Sequence, residues 1–300
     1  VISLLYGVLF YIGLRTFISA NDWEKLFAAI FAVRAAVSVI AILQHLLPGR
    51  ALLWIPPARS VPTSSLPNSG LLAGYLLIIL GIGAWLWHRH RRSWSSWLIV
   101  GLLALVFTGF VLPANRASFL GFLTAVGIAA LVAAFRFSSR SAKLFAVGVP
   151  VVLAAIVAIT FIYPANPLTR AVPPLESLSL ISLQHPTLVV RFAYWRAALA
   201  GFPEAPLLGS GPENFGVVFT RYDSGVPFES MPSAYEDRAH NAFLEALSTT
   251  GLLGLLAYCA VWGSLVLCIY RGYRDRQLEL MEVTIFAGIG IGYFLYLQLW

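Results

Sequence analysis

Apolar segments long enough to cross a lipid bilayer recur along the whole chain. A membrane-spanning helix needs about 20 consecutive, mostly apolar residues. Eight segments approach that length, and they cover residues 1–17, 24–47, 71–87, 94–112, 117–135, 144–163, 252–270 and 283–300. Only 11% of the residues are charged, whereas a soluble domain carries roughly 25%. The sequence therefore predicts an all-α, polytopic helical membrane protein with about eight spans in the lipid bilayer.

The positions of the charged residues indicate how these spans are oriented. The net charge is +7, and cations are concentrated in short connections at 88–92, 136–143 and 271–276. The long polar segment carries more Asp and Glu than Arg. This is the positive-inside pattern of a membrane protein and not a basic nucleic-acid-binding face, so we expect no nucleic-acid partner. The cationic loops should face the cytoplasm, and the long segment should face the periplasm or the cell exterior.

The long polar segment divides the chain into three predicted parts. Residues 1–163 form a first set of transmembrane helices, residues 164–249 form a partly helical extracytoplasmic loop domain, and residues 250–300 return to the membrane. Both ends of the sequence lie inside apolar runs, and the first residue is not Met. We therefore expect this chain to be a piece of a longer protein.

Arg116 lies in the very short second outward-facing connection, at 113–116. It follows Asn115, which can cap a helix, so it falls in the first helical turn. A cation is unfavourable beside the positive end of a helix dipole, and this connection has no acidic residue. The placement favours an anion supplied from elsewhere, because a phosphate would gain from both the dipole and the guanidinium group. The alternative is an interfacial arginine whose side chain reaches the headgroups.

Two other polar residues of the transmembrane part have competing explanations. Arg34 lies near the middle of its span, where an arginine points either to function or to a buried structural partner. Asn68 precedes an apolar run, and Asn68 or Ser69 should cap the helix that follows.

The long segment has helical spacing between residues 187 and 202. Five residues fall on one side of this helix: Val190, Tyr194, Ala197, Ala198 and Leu199. Arg191 and Trp195 are four residues apart and share a face, with Arg196 beside them. Such a helix suits the membrane interface, either as a peripheral support or with Arg191 binding a pyrophosphate through its planar fork. A second short helix is predicted at 213–219, and the polar stretch 222–238 is interpreted as a solvated loop or a lid.

His240 is predicted to begin the last helix of the long segment. Phe243, Leu244 and Leu247 follow three, four and seven residues later, which puts the imidazole on the packed face. A core histidine is the commoner explanation of that pattern. The flanking Arg238 and Asn241 and the entry into the membrane also fit a histidine that accepts a hydroxyl proton. Glu245 is an alternative base or an orienting partner.

Motifs for other chemistries are absent from the sequence. There is no HExxH, no CxxC and no carboxylate cluster with metal-ligand spacing. There is also no dinucleotide- or phosphate-binding Gly-rich loop and no GxSxG elbow. We therefore expect no cofactor and a metal-independent chemistry that depends on arginines, a histidine and carboxylates.

Several motifs resemble those of the O-antigen ligase and polymerase superfamily. They are RFAYWRAAL at 191–199, PLLGSGPENF at 206–215 and AHNAFLEALSTTGLLGLL at 239–256, together with NRASFLGF at 115–122 and LPNSGLLAGY at 66–75. The resemblance extends from about residue 60 to residue 265. One departure is Ala-Ser-Phe after Arg116, where Gly-Ala-Trp is commoner in the family.

This resemblance implies a function, a fold and a set of site residues. The implied protein is a GT-C-like glycosyltransferase of the bacterial inner membrane that uses glycans carried on undecaprenyl pyrophosphate. Arg116 and Arg191 match the family's pyrophosphate-binding arginines, and His240 matches the histidine that acts on or orients the acceptor hydroxyl. Family members have about a dozen spans, so helices are expected beyond both ends of this chain. The acceptor, whether a glycan, a lipid A-core sugar or a protein, stays open.

A transporter or flippase of a polyprenyl-linked or other anionic substrate is the competing prediction. Such proteins show internal repeats and broken helices with polar residues at the membrane midplane. We find no repeat between the halves, and the polar residues gather outside the membrane. Arg34 is the one feature that favours transport.

Overall fold

The computed structural model describes residues 11–13, 16, 18–19, 22–50, 61–136, 138–180, 186–222 and 238–299, and every regular element within these ranges is helical. The α-helices are α1 (Trp23–Leu46), α2 (Ser69–His90), α3 (Ser95–Val111), α4 (Arg116–Arg136), α5 (Arg140–Ile162), α6 (Pro167–Ala171), α7 (Pro173–Ser179), α8 (Pro186–Gly201), α9 (Phe215–Tyr222), α10 (Ala242–Arg274) and α11 (Leu280–Leu299). A short 3-10 helix, Phe202–Glu204, follows α8. The predicted all-α class is confirmed.

Six of these helices are long and apolar enough to cross a membrane: α1, α2, α4, α5, α10 and α11. The apolar helix α3 is shorter, with 17 residues. Together they correspond to seven of the eight predicted spans, and the first predicted span, 1–17, lies almost entirely outside the described residues. The chain is a multi-pass membrane protein.

Successive spans run in opposite directions and so define two ends of the bundle. The basic end holds the connections 91–94 and 275–279 and the junction at 138–139. The loop end holds the connection 112–115, the long connection from α5 to α10, and the C-terminal end of α11. The arginine-rich connections and the long polar segment therefore lie at opposite ends, as the charge pattern predicts.

The start of the long connection is anchored on the transmembrane bundle. Leu175 and Leu178 of α7 are buried in the same hydrophobic cluster as Leu72, Leu76 and Phe110 of the membrane helices. The amide side chain of Asn166 caps α6 by accepting a hydrogen bond from the backbone N–H of Thr169, at 2.9 Å. The connection therefore folds back onto the bundle as soon as it leaves α5.

A second, smaller core forms within the long connection. Val190, Tyr194, Ala197 and Ala198 of α8 are buried against Phe215 and Phe219 of α9. The Tyr194 ring meets the Phe219 ring edge-on, with the centroids 4.9 Å apart. Four residues of the predicted face are thus confirmed. The fifth, Leu199, is 54% exposed, because it follows Tyr194 by five residues and lies about 140° away around the helix.

Helices α4 and α11 cross in direct backbone contact through two glycines. A Cβ atom on Gly121 would lie 2.3 Å from the carbonyl oxygen of Gly292, and a Cβ atom on Gly292 would lie 2.7 Å from the carbonyl oxygen of Gly121. Small residues allow membrane helices to approach this closely. The hydroxyl group of Tyr296 donates to the carbonyl of Gly70 at 2.9 Å, which also joins α11 to the start of α2.

Helix α10 is broken near its start, at Gly251. This residue has φ +66° and ψ −165°, so the membrane part of the helix begins at Leu252, as predicted. The broken turn pairs with the segment 206–211. The backbone N–H of Leu252 donates to the carbonyl of Pro206 at 2.8 Å, and that of Gly211 donates to the carbonyl of Thr249 at 2.8 Å. The motifs at 206–215 and 239–256 therefore form one structure, and we call the pairing of 206–211 with 249–252 the interlock.

Alanine at Gly251 is expected to unfold this interlock. A Cβ atom there would lie 2.4 Å from the backbone carbon of Leu207, and the positive φ is itself costly for a residue with a side chain. Gly209, with φ +67°, faces the same conflict 2.4 Å from the backbone of Thr249. We expect either substitution to lower the melting temperature of the detergent-solubilised protein. Gly263→Ala in α10 is the control, because its Cβ atom would meet nothing within 4 Å. Equal melting temperatures for G251A and G263A would contradict the interlock.

Candidate active site

Arg191 lies in α8 and reaches across to the C-terminal end of α11. Its Nη1 atom donates a hydrogen bond to the carbonyl oxygen of Leu299, the last residue of that helix. The final carbonyls of a helix carry partial negative charge, so they stabilise a cation. The guanidinium group is therefore oriented at the loop end of the bundle, and its residue is partly buried.

Arg116 is the first residue of α4, as predicted. Asn115 caps the helix, because its Oδ1 atom accepts a hydrogen bond from the backbone N–H of Ser118 at 2.9 Å. Because α4 and α11 cross at Gly121 and Gly292, the start of α4 and the end of α11 lie at a similar height in the bundle. Gly121 follows Arg116 by five residues and Gly292 precedes Leu299 by seven, which is about 8 Å and about 10 Å along the two helices.

Arg191 lies within electrostatic range of Arg116. Burial lowers the pKa of Arg191, the positive charge of Arg116 lowers it further, and Tyr194 acts in the opposite direction. The positive charge of Arg116 thus exerts repulsion on a guanidinium group from a distant part of the chain. A bound dianion would relieve this repulsion and would gain hydrogen bonds from two planar forks.

His240 lies just outside the helix that the sequence predicted it to begin. The N-cap is Asn241, whose side-chain oxygen accepts hydrogen bonds from the backbone N–H groups of Phe243 and Leu244, both at 3.1 Å, and α10 begins at Ala242. The prediction was wrong because asparagine is a strong capping residue. His240 itself adopts φ +51°, so the helical-face argument does not apply to it.

The imidazole of His240 nevertheless packs inward. Its ring stacks on the ring of Tyr194, with centroids 5.8 Å apart and an interplanar angle of 26°, and its Nδ1 atom is inaccessible to solvent. Tyr194 follows Arg191 by one turn of α8. The histidine and the two arginines therefore gather around the same helix at the loop end.

The backbone just before His240 is held from two sides. The N–H of Ala239 donates to the Glu245 Oε2 atom at 2.7 Å, and the Trp195 Nε1 atom donates to the carbonyl of Ala239 at 3.1 Å. Such fixed neighbours sustain the positive φ of His240. This geometry favours the orienting alternative for Glu245. It also identifies Trp195 as a residue that positions the backbone before His240, whereas the sequence indicated only an aromatic side chain at the membrane interface.

Gln298 joins the same constellation and was missed by the sequence analysis. Its Nε2 atom donates to the Tyr258 hydroxyl at 3.1 Å, and its backbone carbonyl accepts a hydrogen bond from the Asn241 side chain at 3.4 Å. It thereby connects the end of α11 to the cap of α10, beside the carbonyl that Arg191 uses. The available signal was an amide in the last turn of an otherwise apolar span.

The other predicted site residues lie apart from this constellation or perform local roles. Arg196 is exposed and lies about 140° around α8 from Arg191. Arg238 is exposed, and its Nη2 atom is 4.0 Å from the Glu213 Oε2 atom.

The two polar residues of the first spans have structural partners. The Arg34 guanidinium group lies over the Tyr75 ring, 4.5 Å from the centroid, which is a cation–π contact. The Asn68 side chain caps α2 by accepting a hydrogen bond from the backbone N–H of Gly70 at 2.6 Å. Arg34 therefore has a structural partner, and the predicted cap at Asn68 is confirmed.

Two further expectations concern the surroundings of the site. Within the described ranges, no group of three or more His, Cys, Asp or Glu side chains is placed to hold a metal ion. The polar stretch interpreted as a solvated loop or lid lies outside the described residues, apart from Tyr222 and Arg238.

The fold and the site define a multi-pass α-helical membrane protein with two arginines and a histidine gathered at one end of the bundle. The O-antigen ligase family model matches residues 101–259, which is just over half of the chain and contains both arginines and His240. The chain therefore belongs to the O-antigen ligase family. Family membership implies glycan and lipid-linked substrates in a membrane environment. A search of curated proteins finds no match to this chain.

Proposed function

We propose that this protein is a metal-independent, inverting glycosyltransferase. It moves a glycan from undecaprenyl pyrophosphate to an acceptor hydroxyl group at the outer face of the bacterial inner membrane. The observation that carries the proposal is the placement of Arg116 at the start of α4 and of Arg191 on the C-terminal carbonyl of α11, both at the loop end, where the charge of Arg116 also lowers the pKa of Arg191. The family match supports the reaction class.

The two arginines bind the diphosphate of the donor. Departure of undecaprenyl pyrophosphate develops negative charge on the diphosphate oxygens, and fixed guanidinium groups stabilise that charge most strongly in the transition state. The N-terminal end of α4 adds its dipole to the same anion. The membrane helices hold the polyprenyl chain, so the anomeric carbon lies at the interface, beside the long connection.

His240 accepts the proton of the acceptor hydroxyl group. The hydroxyl oxygen forms a bond to the anomeric carbon while the bond from that carbon to the diphosphate oxygen breaks. The proton goes to the imidazole, and the leaving group departs as the anion held by the arginines. A single displacement inverts the anomeric configuration. Glu245 and Trp195 act as positioning residues, because they hold the backbone of Ala239.

The orientation of the site follows from the charge pattern. The positive-inside rule puts the basic end in the cytoplasm, and the loop end with Arg116, Arg191 and His240 then faces the periplasm or the cell exterior. A cysteine introduced at exposed Leu207 in the long connection should react with a membrane-impermeant thiol reagent in whole cells.

The test of the proposed function is a transfer reaction with the purified full-length protein. A lipid-linked oligosaccharide is supplied with a glycan, a lipid A-core or a Ser/Thr peptide acceptor, and the labelled glycan is followed by mass spectrometry. We expect one acceptor to be glycosylated, with inverted anomeric configuration by NMR, and at an unchanged rate after treatment with EDTA.

Three results would contradict the proposal in different ways. Retention of the anomeric configuration would exclude the single displacement. Loss of activity in EDTA with recovery on adding Mg²⁺ would exclude metal independence. Movement of the intact lipid-linked donor across proteoliposome membranes, without transfer to any acceptor, would show that the protein is a transporter and not a glycosyltransferase.

A further inference from the structure

A cavity of about 750 Å³ opens at the basic end of the bundle, at the opposite end from the candidate active site. It lies between the C-terminal end of α4, the end of α10 and the start of α11.

The cavity is amphipathic. Ala129, Val132 and Ala133 form an apolar wall along the last turns of α4, and Leu278 and Met281 face it from the other side. The three α4 residues and Met281 belong to helices that are long and apolar enough to cross a membrane, and they lie near the helix ends at the basic end.

The rim of the cavity is cationic. It carries four guanidinium groups, those of Arg91, Arg136, Arg274 and Arg276, and one carboxylate, that of Glu279. Arg274 is paired with Asp275, at 2.9 Å between Nε and Oδ1. Arg136 and Arg276 form no ion pair with any residue in the described part of the chain. The rim therefore has an excess of positive charge beside an apolar wall.

The inner wall is built from fixed polar contacts. His88, which is 7% exposed, lies between the Glu279 Oε2 atom at 3.3 Å and the Arg91 Nη1 atom at 3.1 Å. Glu282, which is 3% exposed, accepts hydrogen bonds from the Trp85 Nε1 atom and from the backbone N–H of Glu279, both at 3.0 Å. These contacts hold α2 and α11 together behind the cavity, so its shape does not depend on flexible surface chains alone.

We propose that this cavity binds one anionic phospholipid, with the phosphate between the rim arginines and the upper part of an acyl chain against the apolar wall. Arginine forks suit phosphate oxygens, and basic pockets between membrane helices suit anionic lipid headgroups. A soluble anion would leave the apolar wall uncovered, and a neutral lipid would leave the cations uncompensated. The proposal is independent of glycan transfer.

The test uses the full-length protein in nanodiscs of phosphatidylcholine that contain a small fraction of fluorescent phosphatidylglycerol. Energy transfer from the protein's tryptophans reports lipid held against its surface. Arg136→Gln with Arg276→Gln is expected to weaken phosphatidylglycerol binding at least about tenfold, because the bound phosphate loses two charge-assisted hydrogen-bond partners. Ala133→Phe, which fills the apolar wall without changing the charge or the number of tryptophans, is expected to weaken it as well.

The matched control removes the same charge from the same end without touching the cavity. Arg140 and Lys143 are exposed at the start of α5 and do not line it, so Arg140→Gln with Lys143→Gln should leave phosphatidylglycerol binding within about two-fold. An equal loss in both double variants would show general surface attraction and overturn the proposal. Thermal stabilisation of the detergent-solubilised protein by inorganic phosphate, equal to that by phosphatidylglycerol, would also overturn it. The melting temperature of each variant confirms that it is folded.

Discussion

Replacing Arg191 or Arg116 with alanine is expected to lower the rate of glycan transfer by about 100- to 1,000-fold, which is the usual effect of removing one donor from a charged transition state. Each guanidinium group balances charge that develops on the departing diphosphate. The protein should still insert and fold, because both side chains lie at the loop end and outside the main hydrophobic cluster. The measurement is initial transfer rate per mole of folded protein in detergent or liposomes.

The size of the combined effect distinguishes a shared site from two separate ones. If both arginines bind one diphosphate, the double variant should lose much less than the product of the two single losses. Arg191→Lys should also be slow, because an ammonium group cannot form the two parallel hydrogen bonds of a guanidinium fork. Arg221→Ala is the control, since this exposed residue of the same connection forms an ion pair with Glu204 at the surface. Full activity of R191K would exclude two-pronged binding of the phosphate.

His240→Ala is expected to lower transfer by about 100- to 10,000-fold, the range for loss of a general base. The measurement is the transfer rate across a pH series for the wild type and for H240A at saturating donor.

Variants of Glu245 test whether the general base is His240 or the Glu245 carboxylate. Its carboxylate accepts the N–H of Ala239, and an amide oxygen can do the same. Glu245→Gln should therefore keep most of the activity with the wild-type pH profile, whereas Glu245→Ala should be slow. If E245Q were as inactive as H240A, the base would be the carboxylate and the assignment of His240 would be wrong.

The spans and the arginine at the start of α4 could be predicted because each depends on a short stretch of sequence. Apolar length alone marks a membrane helix, and Asn115 followed by Arg116 marks a helix start with an unfavourable charge. The position of His240 was wrong by two residues relative to the helix start, because the strong capping residue Asn241 follows it.

The interlock and the convergence at the α11 terminus could not be predicted, because they depend on pairings between distant segments. From the sequence, Gly251 indicates only a poor helix former. The backbone of 206–211, which lies against it, explains why a side chain at position 251 is excluded. Gln298 is marked in the sequence only as an amide in an apolar span, and its contacts with Asn241 and Tyr258 depend on the fold. Hydropathy indicates which residues enter the membrane, but it does not indicate which helices meet.

The backbone contact between Gly121 and Gly292 has a consequence for the range of sugars that the protein handles. Because main chain touches main chain, the helices themselves set the separation between the start of α4, which carries Arg116, and the end of α11, which binds Arg191. On the proposed function, those cations recognise only the diphosphate, which every polyprenyl-linked donor shares. A bacterium could then diversify the carbohydrates of its surface while this part of the protein stayed the same, and the choice of sugar would fall to residues that face the acceptor.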